Sequence, residues 1–500
     1  MLSEKFRPII ETTLPLVGER LGSITPNFYS RLFTAHPELL DGLFSRANQR
    51  NGEQQKALAG SIAAFASALV ANPDLIPETM LSRIANKHTS LGITEDQYDI
   101  VYKYLFEAIA EELADVITAE IAEAWTEVYW LMANALIKIE KGLYAQQAND
   151  KMWTPWKVVE KNPAGTGCMT FVLEPADDTP VTVARPGQFI SVKVQLPDGL
   201  HQVRQYSLSA DVDSTDRRVF TTKLDDGGDV SPVLHRNVQV GDVLELSNPY
   251  GDVTLDEGDT PVVFATAGIG CTPSASALRS LARQGSSREV MVLHAEKNLE
   301  AWALRDQMVN DIEKLDGANL KLWLEEPAEG ANTGFMSLQD VELPADASVY
   351  VCGPLPFMKS IRSQAIDAGI PATKIHYEVF GPDLWHASAN YRPSMNQPPS
   401  PPDGGPETSG PPSLLTPTVK HAHRRQEAPG LPTHLPAPAG RPAAPWFRCR
   451  FPSPPECRTR GPRSRRASRG RRHPRRRRRL AGTAASTRDW CTDTPGCHRF

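Results

Sequence analysis

The sequence predicts an all-α domain, an antiparallel β-barrel and a doubly wound α/β domain, followed by a disordered tail. Apolar residues recur at helical spacing through residues 1–148. Short β-rich runs between Gly and Pro turns occupy 152–258, and buried strands alternate with helices over 260–385. The remaining residues, 386–500, show no hydrophobic periodicity. A length of 500 residues is consistent with about three folded domains.

Charge is distributed unevenly between the predicted domains and the tail. Residues 391–500 contain 22 Lys and Arg and 6 Asp and Glu, which leaves 32 basic and 53 acidic residues in 1–390. The body is therefore acidic, and its charge repels a polyanion such as nucleic acid. We expect no nucleic-acid partner for residues 1–385.

The three cysteines of the body, Cys168, Cys271 and Cys352, do not have the spacing of a zinc site. They also lack the motif for covalent haem attachment. Sparse cysteines are typical of a reducing cytoplasm. The apolar stretches are far shorter than the ~20 residues of a membrane span, and the N-terminus lacks a secretion-signal pattern. We therefore expect a cytoplasmic protein with no membrane partner.

Start and stop signals divide the all-α region into six or more helices. A globin-like fold fits this pattern, and so does a generic helical bundle. The predicted boundaries are a start at Thr25-Pro26, an end at Asn72-Pro73, a helix from about Pro77 to Gly92, a capping box at 94–97 that opens a helix at Tyr98, and a last helix from about Ala119 to Gln147.

The next two regions contain β-rich runs of different kinds. In the barrel region, the predicted strands include residues 170–173, 189–194, 219–223 and 243–246. In the α/β region, the predicted strands are 262–264, 290–294 and 349–351, with helices at 274–281, after Ala301 and after Phe357.

The tail is rich in Pro and Arg. It contains 21 of the chain's 43 prolines, and Arg supplies 21 of the 22 basic residues in 391–500. Two interpretations remain open. One is an Arg-rich arm for nucleic acid or an anionic surface, and the other is an out-of-frame read-through of a GC-rich gene. The near absence of Lys favours the read-through, because a selected phosphate-binding arm usually mixes Lys with Arg.

His88 is the candidate metal ligand. A histidine on the apolar side of a helix is more often a core residue than a ligand, so its neighbours decide the interpretation. Glu140 lies among apolar residues of the last helix, and a buried carboxylate requires a partner. A carboxylate at the second ring nitrogen makes a metal-bound imidazole more basic, which favours dioxygen activation at haem iron. We expect Tyr98 and Tyr29 to face the same interior.

Three motifs carry a resemblance to a known family. NFYSRLF at 27–33, NQRNG at 48–52 and IANKHTSLGITEDQY at 84–98, together with Glu140, closely resemble the globin half of the bacterial flavohaemoglobins. These are soluble nitric oxide dioxygenases that bind haem b and FAD and use NAD(P)H.

The resemblance implies a role for each matching residue of the helical domain. His88 becomes the proximal iron ligand. Tyr98 and Glu140 become its charge-relay partners, and Tyr29 becomes the residue that donates a hydrogen bond to bound dioxygen. The remaining assignments are the distal pocket residues Gln54 and Leu58, and Lys87 as a residue that tunes the redox potential.

The run Arg204-Gln205-Tyr206-Ser207 predicts a flavin site on a barrel strand. Arginine can pair with the flavin diphosphate as a fork, tyrosine can stack on the isoalloxazine ring, and the serine hydroxyl can bond the ring nitrogen that receives hydride. An exposed strand of alternating polarity is the alternative. The resemblance also places Phe189 in the FAD site, at a position where many relatives have tyrosine.

A glycine-containing turn predicts the nucleotide site. It follows one predicted strand and precedes a helix, so that its backbone can approach a pyrophosphate. A tight turn without a ligand is the alternative. The turn resembles that of the ferredoxin–NADP reductase superfamily, the other half of flavohaemoglobins. The implied nucleotide residues are Gly268, Ile269, Gly270, Cys271, Thr272 and Pro273.

The last matching segment, 376–382, covers the flavin in this family. Phe380 would shield the ring face where nicotinamide enters, and Glu378 would tune the flavin potential. The implied cofactor contacts also include Val379, Gly381 and Pro382. The resemblance extends to about residue 385.

The implied activity is that of a nitric oxide dioxygenase. NAD(P)H reduces FAD, FAD reduces the haem iron, and the oxygenated haem converts nitric oxide to nitrate. The partners would be nitric oxide, dioxygen and NAD(P)H, and the protein would be a monomer. The alternative is a haem-based sensor or carrier of oxygen or nitric oxide with an attached ferric reductase. The sequence leaves the choice between NADH and NADPH open.

Overall fold

The computed structural model describes residues 1–385, and its elements follow the predicted order of helices, barrel and α/β domain. The disorder and the two interpretations predicted for 386–500 lie outside the described residues. Within 1–385, every helix is too short or too polar to cross a bilayer.

Six α-helices build the N-terminal domain of the described chain, in agreement with the prediction. Their apolar sides meet in a single core that contains the fully buried Phe65, Leu69 and Leu81. The helices are α1 (Arg7–Ala35), α2 (Arg46–Arg50), α3 (Glu53–Ala71), α4 (Glu78–Leu91), α5 (Glu95–Glu112) and α6 (Ala119–Ala145).

Local signals set three of these boundaries. Asn72 caps the end of α3, and Gly92 ends α4 with a φ of 76° that only glycine adopts readily. Both bonds of the predicted capping box are present between Thr94 and Gln97. The box opens α5 at Glu95, so the predicted start at Tyr98 was three residues late.

The helix start predicted at Thr25-Pro26 is wrong, because α1 continues through Pro26. The proline lacks the N–H that would donate within the helix. The neighbouring Thr25 hydroxyl donates to the Leu21 carbonyl at 2.9 Å, which does not replace the missing bond to the Gly22 carbonyl. Ile24 and Phe28, on either side of the proline, are buried in the core. Packing therefore stabilises a continuous helix despite the local cost of the proline.

A closed antiparallel barrel follows, as the sequence predicts. Its elements are β1 (Thr154–Gly165), β2 (Cys168–Pro175), β3 (Phe189–Gln195), β4 (His201–Ala210), β5 (Arg218–Lys223), α7 (Ser231–Arg236) and β6 (Val243–Leu246). The strand order is β1-β2-β5-β4-β3-β6, and closure leaves no free sheet edge. Phe171, Ile190 and Phe220 fill the interior of the barrel.

The third domain is a six-stranded parallel sheet with apolar clusters on both faces. Its elements are β7 (Val262–Ala267), α8 (Thr272–Gln284), β8 (Val290–Glu296), α9 (Arg305–Ile312), β9 (Asn319–Leu324), β10 (Asn332–Thr333), β11 (Ser348–Cys352), α10 (Leu355–Asp367) and β12 (Ile375–Glu378). The strand order is β10-β9-β8-β7-β11-β12. The first strand of the domain, β7, pairs with both β8 and β11, so the loops after β7 and β11 meet at one edge of the sheet.

A glycine holds the barrel close to the segment that leads into the α/β domain. Gly187 has a φ of 99°, and a Cβ there would lie 2.2 Å from the Val253 carbonyl oxygen.

Gly187→Ala should lower the free energy of unfolding by about 1–3 kcal/mol, measured by denaturant titration. Gly142→Ala on α6 is the control, since its Cβ meets nothing within 4 Å, and should raise stability by up to about 1 kcal/mol. Equal stability of both variants would contradict this packing.

Candidate functional site

His88 is oriented by a buried carboxylate. Its Nδ1 lies 2.9 Å from Glu140 Oε1 and 3.0 Å from the Tyr98 hydroxyl. Tyr98 donates to the same Glu140 oxygen at 2.6 Å. Since the carboxylate accepts, the imidazole carries its proton on Nδ1 and leaves the Nε2 lone pair for a metal. The Glu140 side chain is 4 % exposed and that of His88 is 33 % exposed, so the imidazole remains accessible while its partner is buried.

The three helices of this triad provide its geometry. His88 comes from the last turn of α4, Tyr98 from the first turn of α5, and Glu140 from the second half of α6. Burial and the charge of Glu140 raise the pKa of Tyr98, so its phenol stays a donor. The expected partners of His88 are therefore brought together.

The predicted distal residues lie on α1 and α3. Tyr29 is buried, and burial raises its pKa, so the phenol remains protonated. Leu58 lies one turn beyond Gln54 and packs against the same core. An imidazole whose Nδ1 bonds a carboxylate, a buried phenol and apolar surroundings form a donor set that fits haem iron.

The flavin motif lies on β4, as predicted. Ser207 is buried, and its hydroxyl has no hydrogen-bond partner among the described residues. Phe189 of β3 is its cross-strand neighbour and is also buried. An orphaned buried hydroxyl is costly unless a ligand supplies the partner, so this position fits a flavin nitrogen.

The other three motif residues have distinct surroundings. One face of Tyr206 stacks on Phe220 at 5.2 Å, so the barrel core supports the ring. Gln205 Nε2 donates to the Ser191 hydroxyl at 3.0 Å. Burial lowers the pKa of Arg204. A guanidinium group at this position fits a diphosphate.

The nucleotide turn adopts a 3-10 conformation over Gly268–Cys271, and α8 begins at Thr272. A Cβ on Gly270 would lie 2.5 Å from the Cys352 carbonyl oxygen, so the loops after β7 and β11 touch through their backbones. The free N–H groups of the first turn of α8 can bind a pyrophosphate.

Side chains of this turn contribute unequally. Cys271 is buried, and its thiol donates to the Ala303 carbonyl at 3.4 Å, so only its backbone can reach a nucleotide. The Thr272 hydroxyl donates to the Ile269 carbonyl at 3.1 Å. Pro273 lines a cleft between the barrel and the α/β domain, together with Gly187 and Glu378.

The segment after β12 contacts the helical domain. The Lys87 ammonium donates to the Gly381 carbonyl. Burial raises the pKa of Glu378 to about 8 and lowers that of Lys87 to about 8, and each charge partly offsets the shift of the other. The two predicted tuning residues therefore interact across a domain boundary. Of the other predicted residues here, Val379 is partly buried, Phe380 is 46 % exposed and Pro382 is buried.

Taken together, these features define a haem-binding redox protein that carries its own flavin- and pyridine-nucleotide-dependent reductase. Family models match in the same order. Residues 26–136 match the globin family, 155–255 match the oxidoreductase FAD-binding domain, and 264–363 match the oxidoreductase NAD-binding domain. The protein is therefore an oxidoreductase with haem, FAD and NAD as cofactors.

Complete relatives give the family. The chain is 39 % identical to a flavohaemoprotein of Rhizobium meliloti over 406 residues, which covers 77 % of this chain and all of the relative. It is 34 % identical to the flavohaemoprotein of Bacillus subtilis, covering 77 % and 98 % of the two chains. The crystal structure of a Malassezia yamatoensis flavohaemoglobin, with bound FAD and haem, superposes with a TM-score of 0.73 at 44 % identity, covering 76 % and 100 %. This chain belongs to the flavohaemoprotein family.

Sequence analysis missed the polar side of α4 that faces the reductase. Arg83 pairs with Asp252 and Asp383, both at 3.7 Å, and Asn86 accepts a hydrogen bond from the Gly251 amide at 2.8 Å. Polar residues at 83, 86, 87 and 90 have helical spacing, and that regularity was the available signal. On one sequence, however, such a stripe is more often a solvated face.

The Glu378 carboxyl should make stability pH-dependent. Its pKa is about 8 in the folded protein and lower in the unfolded chain, where it is near its ordinary value of 4.5. Between these values the folded state binds more protons, so the contribution of Glu378 to the free energy of unfolding decreases as pH rises. Glu378→Gln should flatten this decrease in chemical denaturation curves. Glu257→Gln, at an exposed position, is the control, and an unchanged slope in Glu378→Gln would contradict the shifted pKa.

Proposed function

We propose that this protein is a nitric oxide dioxygenase that oxidises nitric oxide to nitrate with dioxygen and electrons from NAD(P)H. The observation that carries the proposal is the hydrogen-bonded triad of His88, Tyr98 and Glu140 in a chain that also contains its own reductase. A carboxylate on the proximal imidazole favours oxygen activation over simple storage. We also propose that the protein is a cytoplasmic monomer.

The reductase residues would bring hydride and flavin together. When bound, FAD accepts the two electrons of a hydride and passes single electrons on, and haem supplies the oxygen chemistry. Arg204 would hold the flavin diphosphate, and Ser207 would hydrogen-bond the nitrogen that receives hydride. The first turn of α8 would bind the nucleotide pyrophosphate.

The globin residues would control both sides of the haem site. Glu140 accepts the hydrogen bond that His88 Nδ1–H donates and so keeps Nε2 electron-rich. Tyr29 is a protonated donor in a buried position, so its hydroxyl can bond a ligand on the distal side. Each nitric oxide converted to nitrate consumes one dioxygen and one electron, so one NADH accounts for two turnovers.

A gas carrier or sensor with an attached ferric reductase is the second candidate, since Tyr29 and Gln54 would also retain dioxygen. Adding nitric oxide to the protein with NADH under air distinguishes the dioxygenase from the carrier or sensor. The dioxygenase should show sustained NADH consumption that stops without oxygen. His88→Ala should abolish it but keep NADH-dependent reduction of an artificial acceptor, because the flavin site is elsewhere. A single stoichiometric spectral change without turnover would identify a carrier instead.

Tyr29→Phe should retain haem and release dioxygen faster. A hydrogen bond to a charged group contributes about 1.5–3 kcal/mol, so we expect an increase in the dissociation rate of about tenfold or more. Stopped-flow displacement of dioxygen by carbon monoxide measures it. Tyr102→Phe is the matched control, because its hydroxyl bonds Thr126 at 3.2 Å between α5 and α6. A normal dissociation rate in Tyr29→Phe would remove this residue from the distal site.

A further inference from the structure

Helix α4 is buried on two sides. One side carries His88 with Leu81 and Ile84 and faces the helical core. The other carries Asn86 and Ser90, which are both buried. This second side of α4 contacts the barrel, although the helix belongs to the helical domain.

A continuous chain of hydrogen bonds joins this second side to the flavin strand. Gln205 Nε2 donates to Ser191 Oγ at 3.0 Å, and Ser191 Oγ donates to Ser90 Oγ at 2.9 Å. Ser90 Oγ in turn donates to the Lys87 carbonyl at 2.8 Å. The chain therefore ends on the backbone immediately before His88.

The donor and acceptor of each bond in this series are determined, because the Lys87 carbonyl can only accept. Each serine hydroxyl has one proton, and each donates it onward toward α4 while accepting from the preceding group. Ser191 and Ser90 are completely buried, so water cannot replace either partner. Buried chains of this kind polarise each other and hold a defined geometry. Removing one hydroxyl leaves its neighbours unsatisfied.

The β3 strand gives Ser191 a fixed position. Its backbone N–H donates to the Ser247 hydroxyl at 2.9 Å, and its carbonyl accepts from the Ser247 amide at 2.9 Å. Ser191 is also the cross-strand partner of Gln205 in the antiparallel pair of β3 and β4. One side chain thus connects the strand that bears the flavin motif to the helix that bears the haem ligand.

We propose that Ser191, acting through Ser90, is a positioning residue for electron transfer from the flavin to the haem. The two hydroxyl groups set how closely β4, which carries the flavin motif, and α4, which carries His88, approach each other. Ser191 itself contacts neither reacting centre. The inference goes beyond the choice of nitric oxide as substrate, because it concerns only the passage of electrons between the two domains.

The test uses the full protein with both cofactors, without oxygen and without nitric oxide. Stopped-flow mixing with NADH separates two steps, flavin reduction and the following haem reduction. Ser90→Ala keeps the Gln205–Ser191 bond and should leave flavin reduction unchanged while slowing haem reduction by about tenfold, since small displacements of reacting groups change rates strongly. Ser191→Ala should slow haem reduction by a similar factor. The double variant should be no slower than the slower single variant, because each substitution breaks the same link.

Hydrogen exchange supplies a readout independent of electron flow. Both variants should exchange the backbone amides of 87–92 faster, while those of 119–145 keep their protection. Ser67→Ala is the matched control, because its exposed hydroxyl donates only to the Ala63 carbonyl within α3. It should leave both rates and the exchange unchanged.

Three results would overturn the proposal. They are an unchanged rate of haem reduction in both single variants, an equal loss of flavin reduction in Ser90→Ala, and additive effects on haem reduction in the double variant. If Ser191→Ala fails to accumulate as folded protein, Ser90→Ala carries the test alone, since it removes the other end of the same hydrogen bond. None of these outcomes depends on nitric oxide, so a failure here is distinguishable from a failure of the proposed dioxygenase activity.

Discussion

The burial of the Glu140 carboxylate is the constraint on which the haem side of this protein depends. A buried anion without donors would be strongly destabilising. Its nearby donors are the His88 imidazole and the Tyr98 phenol. Helices α4, α5 and α6 must therefore converge at one point for the domain to fold. The same convergence fixes the imidazole tautomer, so one contact meets a requirement of folding and a requirement of the iron ligation that we propose for His88.

Much of the fold could be predicted because its signals are local. Asn72, Gly92 and the Thr94–Gln97 box mark helix ends through their own backbone and capping chemistry. Pro26 misled the prediction because burial of the neighbouring residues, which a single sequence does not reveal, favours a continuous helix. Strand β1 was also missed, since its charged residues hide the inward alternation of Trp156 and Val158.

The same division holds for the site. The Arg204–Ser207 run and the turn from Gly268 to Pro273 are contiguous, so their chemistry is visible in the sequence. The contacts of Asn86 with Gly251, and of Ser90 with Ser191, join residues more than 100 positions apart. Only the closed barrel brings these partners to the helix. A polar residue on a helix conveys nothing about such a partner, which is why the interdomain part of the site emerges only from the fold.

Helix α4 contacts both the helical core and the reductase, so neither half of the molecule can be exchanged independently of the other. A globin and a reductase joined by a short connection look interchangeable between relatives. Here, a globin domain from another protein would lack the matching side chains on α4. The Gly251 amide, the Ser191 hydroxyl and the Gly381 carbonyl would then lose their hydrogen-bond partners. Substitutions on the polar side of α4 must therefore be matched by substitutions in the barrel. The two halves are bound to evolve together.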